Sequence, residues 1–315
     1  MPPAIKFKHI YEVTFLSKLS GLFALEQLVL LLYSVIIKKM LEKDEKNHDF
    51  SLKNAEFCDA HFHFAVCKEH EPDLDVIWNS CSCAHNFEEW EVQKAAPANV
   101  IKAFGLHPQL CTEPDFDLRS YADFLEGLLY GRNAALANGE EPLLKVIGEA
   151  GFDYFTPSFK EKRALQEEMW NLQLDLAEFY KVPLVIHCRK ANEKLFEYAP
   201  RLKKLPYVLF HSFMGSVVEA KSLIGRGINC AFSFGKQIKN GNKKVIECVK
   251  TLPLENLLLE TDAPFQTLKG EAFTNAKEIA VVYEAATALR AINIEELKHH
   301  LMENFAKLAS INSTS

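Results

Sequence analysis

Asp59-Ala60-His61-Phe62-His63 ends an apolar run in two histidines, and endings of the same kind recur four more times along the chain. They are Gly148-Glu149-Ala150-Gly151-Phe152-Asp153, Val185-Ile186-His187-Cys188-Arg189, Leu209-Phe210-His211-Ser212 and Leu259-Glu260-Thr261-Asp262-Ala263-Pro264. Two histidines at i and i+2 share one side of a strand, which alone is a weak signal. Five strand ends that all carry metal-binding side chains are a strong one. Strands of a (β/α)8 barrel all end at one face, so ligands far apart in sequence meet there without long loops.

Working outward from these stretches, apolar runs at about 57–62, 76–82, 100–105, 144–149, 183–187, 206–211, 228–232 and 257–261 read as eight buried parallel strands. Helical stretches separate them. Over 160–180, Phe159, Leu165, Met169, Leu172, Leu176 and Phe179 recur near helical spacing and predict an apolar face. An open doubly wound sheet fits the strand pattern equally well. Ligands on the first, fourth, fifth, sixth and eighth strands converge only if the sheet closes. The length of 315 residues suits two ordinary domains or one barrel of about 250 residues, and the motifs, shared across residues 56–315, favour one. A hydrophobic content of 48% with 25% charged residues is that of a globular protein with a sizeable core.

His61, His63, His187, His211, Glu149 and Asp262 form a donor set that suits Zn, Mn or Fe, and the carboxylates admit Mg. Six donors exceed the needs of one tetrahedral ion. They predict two divalent metal ions, with a carboxylate able to bridge, arranged to activate water and clamp an oxyanion. Glu149 and Asp262 end otherwise apolar strands, where a carboxylate needs a cation or a hydrogen-bonded partner; a buried ion pair with Arg or Lys is the rival explanation. Asp59, on the same side as both histidines, is placed to orient one of them. Glu260 alternates to the far side of its strand, towards a helix, and reads as structural. Arg189, two residues beyond His187, can meet an anionic oxygen with its planar fork; a surface or helix-capping arginine is the alternative.

The succession DAHFHF (59–64), GLHP (105–108), IGEAGFDY (147–154), VIHCRKA (185–191), FHSFMGS (210–216) and LLLETDAP (257–264) resembles the TatD family of metal-dependent deoxyribonucleases, a branch of the amidohydrolase-like TIM barrels. The resemblance covers roughly residues 56 to 310. It implies an α/β fold, a (β/α)8 TIM barrel of the metallo-dependent hydrolase type, acting as a 3′-to-5′ exonuclease on DNA, single-stranded or at strand ends. It implies that His61, His63, Glu149 and Asp262 hold one metal, that Glu149 bridges to a second held by His187 and His211, and that Asp262 takes the proton of the attacking water. His107 resembles a family position near the metals; it and Asp153 are read as residues that touch substrate or back the ligands, and Arg189 as one that touches substrate. Ser212-Phe213-Met214 departs from the family's usual Cys-Phe-Ser. Gln266-Thr267-Leu268-Lys269-Gly270 stands where members often carry a Tyr-Arg-Gly segment and a later Asn-Glu-Pro. These departures bear on substrate grip more than on catalysis. The metal identity among Mg, Mn and Zn is left open. The rival readings are a hydrolase of small-molecule esters, amides or lactones, and a binding protein with a structural metal.

A formal charge of −6 argues against extended duplex binding by counterion release, though two divalent cations would reverse the sign locally. Eight cysteines without a second pair at zinc-finger spacing read as reduced, buried thiols of a cytoplasmic protein. Cys81-Ser82-Cys83 fits the same reading. Residues 1–55 fall outside the barrel pattern and are expected to form an N-terminal extension with an apolar helix over Leu22 to Ile37, upstream of Met40 as an alternative start. A membrane span needs about 20 apolar residues. This run is shorter and interrupted by Glu26, Gln27 and Ser34, so packing outside the barrel is favoured over membrane attachment. No stable protein partner is inferred.

Overall fold

The computed structural model describes residues 57–310. The N-terminal extension expected over residues 1–55 lies outside them, as do its apolar run and the alternative start at Met40. Eight strands follow one another around a single parallel sheet: β1 Cys58–Phe62, β2 Asn79–Ala84, β3 Val100–Phe104, β4 Val146–Asp153, β5 Leu184–Arg189, β6 Val208–Phe210, β7 Cys230–Phe234 and β8 Leu257–Leu259. Helices Phe87–Gln93, Leu118–Ala137, Arg163–Tyr180, Asn192–Glu197, Val217–Gly225 and Lys243–Thr251 return the chain after β2 to β7. Helices Ile279–Arg290 and Ile294–Ala309 complete the chain after β8. Among the described residues no helix is long and apolar enough to cross a membrane.

The ring closes at its C-terminal face. Asp262 N donates to the His61 carbonyl at 2.9 Å and His63 N to the Ala263 carbonyl at 2.8 Å, which ties the end of β1 to the chain leaving β8. Asp59 braces the same seam. Its carboxylate accepts from Thr261 N (3.0 Å), Thr261 Oγ1 (2.6 Å) and His61 N (3.2 Å). Burial pushes its acid up to about 8 against those donors. Asp59 was expected to orient an imidazole; it holds Thr261 and the backbone at the seam instead.

Strand faces that meet the helices are aromatic. Phe104 packs edge-on against Trp90 (5.9 Å) and Phe124 (5.0 Å), and Phe152 lies tilted against Trp170 (5.3 Å). Each such phenyl, fully buried, contributes about 1.5–3 kcal/mol. Helix Arg163–Tyr180 buries a face different from the one its apolar spacing predicts: Gln166, Met169, Trp170, Gln173, Leu174 and Ala177 are buried, while Phe179 is 78% exposed. The two glutamines serve the backbone. Gln173 accepts from Leu106 N (2.7 Å) and donates to Leu106 O (3.1 Å), and Gln166 does the same to Asp153 N (2.9 Å) and O (3.0 Å). An amide side chain so placed extends a strand edge with matched donor and acceptor. These bonds hold the ends of β3 and β4 where His107 and Asp153 leave the sheet.

Glycine is required where β4 and β5 approach. Gly151 has φ +145°, and a Cβ there would lie 1.9 Å from the His187 carbonyl oxygen. Its bare backbone lets the strand carrying Glu149 close on the strand carrying His187.

Candidate metal centre

At the C-terminal mouth the six predicted ligands come together around Glu149, the hub of the cluster. Glu149 Oε1 lies 3.3 Å from His61 Nε2 and 3.6 Å from His63 Nε2, and Asp262 Oδ1 lies 3.5 and 3.3 Å from the same two nitrogens. The two imidazole nitrogens stand 3.2 Å apart. Glu149 Oε2 faces the other way, 2.7 Å from His211 Nε2 and 3.3 Å from His187 Nδ1, and these two nitrogens are 3.4 Å apart. All six residues except His187 are buried.

These separations allow a direct test of fit. Donors bound to one tetrahedral ion at roughly 2.0–2.1 Å lie about 3.3 Å apart. The His61, His63, Glu149 and Asp262 donors fall at 3.2–3.6 Å from one another along the five edges given above. His187 Nδ1, His211 Nε2 and Glu149 Oε2 form a second group of donors, at 2.7–3.4 Å from one another, on the opposite oxygen of Glu149. His63 turns Nε2 to the cluster, and its other ring nitrogen, Nδ1, is buried without a hydrogen-bond partner.

The electrostatics match. Burial raises the Glu149 carboxyl, but His211, His61 and His107 around it more than offset that and hold it well below the usual carboxylate range. Asp262 behaves alike: burial opposes ionisation, and His63, His211 and His61 overcome it. Burial lowers His107, and His187 and His85 add to the effect, which keeps its imidazole neutral.

Around this cluster a cavity of about 460 Å³ opens. Among the described residues Arg189 is the one Lys or Arg in its lining, and its guanidinium carbon lies over Phe155, 3.6 Å from the ring centroid. His107 also lines the cavity, with Nε2 3.8 Å from Glu149 Oε2. Asp153, grouped with them in the sequence reading, is withdrawn from the cavity. It is fully buried, 3.3 Å from His187 Nε2, and accepts from Gln109 Nε2 at 2.7 Å. It meets His187 from behind and is not among the residues that line the cavity.

Two residues were misread or missed. Glu260 does not turn towards a helix: its carboxylate accepts from Ser233 Oγ at 2.5 Å and Gln266 Nε2 at 3.3 Å, and lies 3.5 Å from His211 Nδ1. β8 ends at Leu259, and past a strand end the two-residue alternation no longer holds. His85, unremarked in the sequence, sits just past β2 with Nε2 2.8 Å from Glu149 Oε1, its backbone N–H held by Glu89 at 2.8 Å. Its signal was present, a histidine closing a strand immediately before the helix cap Asn86. All eight cysteines are free.

The barrel and the shared carboxylate define the class, a metal-dependent hydrolase with its site at the strand ends. Residues 52–310 match the family model of TatD related DNases, and the chain belongs to that family. It is 31% identical over 227 residues to a metal-dependent hydrolase of uncharacterized function from Mycoplasma genitalium, covering 69% of this chain and 81% of that one. A 3′-5′ ssDNA/RNA exonuclease TatD of Salmonella typhimurium is 31% identical over 134 residues, 42% of this chain and 51% of the relative. The crystal structure of a TatD homologue from Escherichia coli K12 superposes with a TM-score of 0.68 at 25% identity, covering 81% of this chain and 98% of that one.

Proposed function

We propose that this hydrolase cleaves phosphodiester bonds in DNA, as a 3′-to-5′ exonuclease on single strands or strand ends, with two divalent ions of Mg, Mn or Zn. The observation that carries the reading is Glu149, whose two oxygens face two separate imidazole groups beside a single unpaired cation, Arg189. The name of the Salmonella relative supports the choice of substrate.

His61, His63, Glu149 and Asp262 would hold one ion, and Glu149, His187 and His211 the other. Ions in these seats supply Lewis acidity towards a phosphoryl oxygen and make water acidic enough to attack near neutral pH. The protein's own groups do the rest. Asp262, a carboxylate at the cavity wall, accepts the proton of the attacking water. Its Oδ1 faces the His61 and His63 pair, so the proton goes to Oδ2, which Gln266 Nε2 steadies at 2.8 Å. Arg189, preset by Phe155, binds the phosphate with its fork. Glu260 and Asp153 orient His211 and His187 from behind.

The test is turnover of end-labelled single-stranded DNA with and without chelator, followed by add-back of Mg, Mn or Zn. Stepwise shortening from the 3′ end that stops in chelator and returns with metal is expected. Full turnover in excess chelator overturns the two-ion mechanism. Inert DNA together with metal-dependent hydrolysis of a neutral lactone or ester overturns the choice of substrate in favour of the small-molecule alternative.

A further inference from the structure

The cavity carries a large aromatic surface that the hydrolytic scheme does not use. Phe265, just past β8, lines the cavity and leaves 49% of its surface in solvent. An exposed phenyl forgoes part of the stabilisation that burial would contribute. Its one ring contact among the described residues is with His63, centroids 5.0 Å apart at 76°. Phe155, on the chain leaving β4, is exposed to the same 49%, but the Arg189 guanidinium already covers one of its faces. In the ring of eight strands β8 lies four places from β4 and three from β5. The open aromatic face and the open cation thus stand on separated sides of the metal centre. Ser212, Gln237 and Gln266, all neutral, fill the wall beside Phe265.

A ligand that satisfies both sides needs an anion for Arg189 and, within reach of the same reacting centre, a flat π face for Phe265. A sugar phosphate has the first alone and a neutral aryl ester the second alone. A nucleotide has both. We propose that Phe265 is a stacking platform for an unpaired nucleobase next to the scissile phosphate, a specificity residue for the hydrolysis proposed above, on which this inference rests. A base inside a duplex has both faces covered by its neighbours and can offer neither to Phe265.

The test uses the metal-loaded full chain and two single-stranded oligonucleotides, identical except that the 3′-terminal residue carries a base or is an abasic tetrahydrofuran. The wild type is expected to favour the base-bearing strand by about tenfold or more in kcat/KM, the scale of base–aromatic stacking. Phe265→Leu keeps apolar bulk beside His63 without a π face and should collapse that ratio towards one, whereas Phe265→Trp should keep or raise it. The proposal is overturned if the wild type shows no preference, or if Phe265→Leu slows both strands in parallel, which is the mark of a packing role against His63. No cleavage of either strand removes the nuclease reading and the platform with it, and is distinct from cleavage without base preference.

Discussion

The two halves of the barrel mouth are built on opposite terms. Where β1, β4 and β8 end, the proposed ligands His61, His63, Glu149 and Asp262 are buried and packed together, and Glu149 alone has six histidines within 3.8 Å. Where the chain leaves β5, β6 and β8 at the cavity rim, Arg189, Ser212, Met214, Phe265 and Gln266 are half-buried or exposed, and each has few partners. The first half must be dry and rigid, because donors a few tenths of an ångström out of place no longer fit one ion. The second must stay open to admit a substrate. Departures from the usual TatD pattern, Ser212-Phe213-Met214 and the stretch from Gln266, fall in the open half, where a change alters grip and leaves the ligand set intact.

The comparison can be broken from either side. Glu149→Gln should do most, since this carboxylate alone touches imidazoles of both groups. The expected outcome is loss of bound metal at both seats, read by elemental analysis of the purified protein, with no measurable hydrolysis. A variant that still carries two equivalents would remove Glu149 as the bridge. Asp262→Asn comes next: an amide can still offer an oxygen to metal but cannot take a proton, so kcat should fall about 10²-fold or more. Retained turnover would pass the role of base to another group, with Glu149 or His107 next in line.

Glu260→Gln probes the buried half at one remove. The change removes the charge facing His211 Nδ1 and should weaken the second ion by roughly 10- to 100-fold, seen in a chelator-competition titration, while the His61 and His63 seat holds. Equal weakening of both ions would make Glu260 a general brace of the fold. The smallest effect belongs to the open half. Arg189→Lys keeps the charge, loses the fork and the stack on Phe155, and should raise KM for phosphodiesters with little change in kcat. A matching loss on neutral esters would show Arg189 to be structural.

What could be read without coordinates was whatever depends on local period. Apolar runs that end in His, Glu or Asp disclosed β1, β4, β5, β6 and β8 and the six donors, because a buried strand announces itself by composition and a carboxylate at its end needs a cation or a hydrogen-bonded partner. The same local logic erred where period stops being informative. Glu260 sits past the last residue of β8, on chain already turning towards Asp262 at φ +54°, so counting in twos sent it to the wrong side. Phe179 followed the apolar spacing of its helix yet faces solvent, since Gln166 and Gln173 took the buried face to pair with strand-end backbone.

The sequence by itself determined the kinds of donor and the strand ends that carry them, and through the family pattern the class of chemistry. Tertiary structure alone decided their relations: that Glu149 divides its oxygens between two groups, that Asp59 closes the β1–β8 seam, that Asp153 stands behind His187, and that His85 joins the hub. The reason is physical. Alternation and apolarity are fixed by neighbours along the chain, whereas the direction of a side chain at the mouth is set by the register in which eight strands close, and by hydrogen bonds between residues as far apart as Asp59 and Thr261.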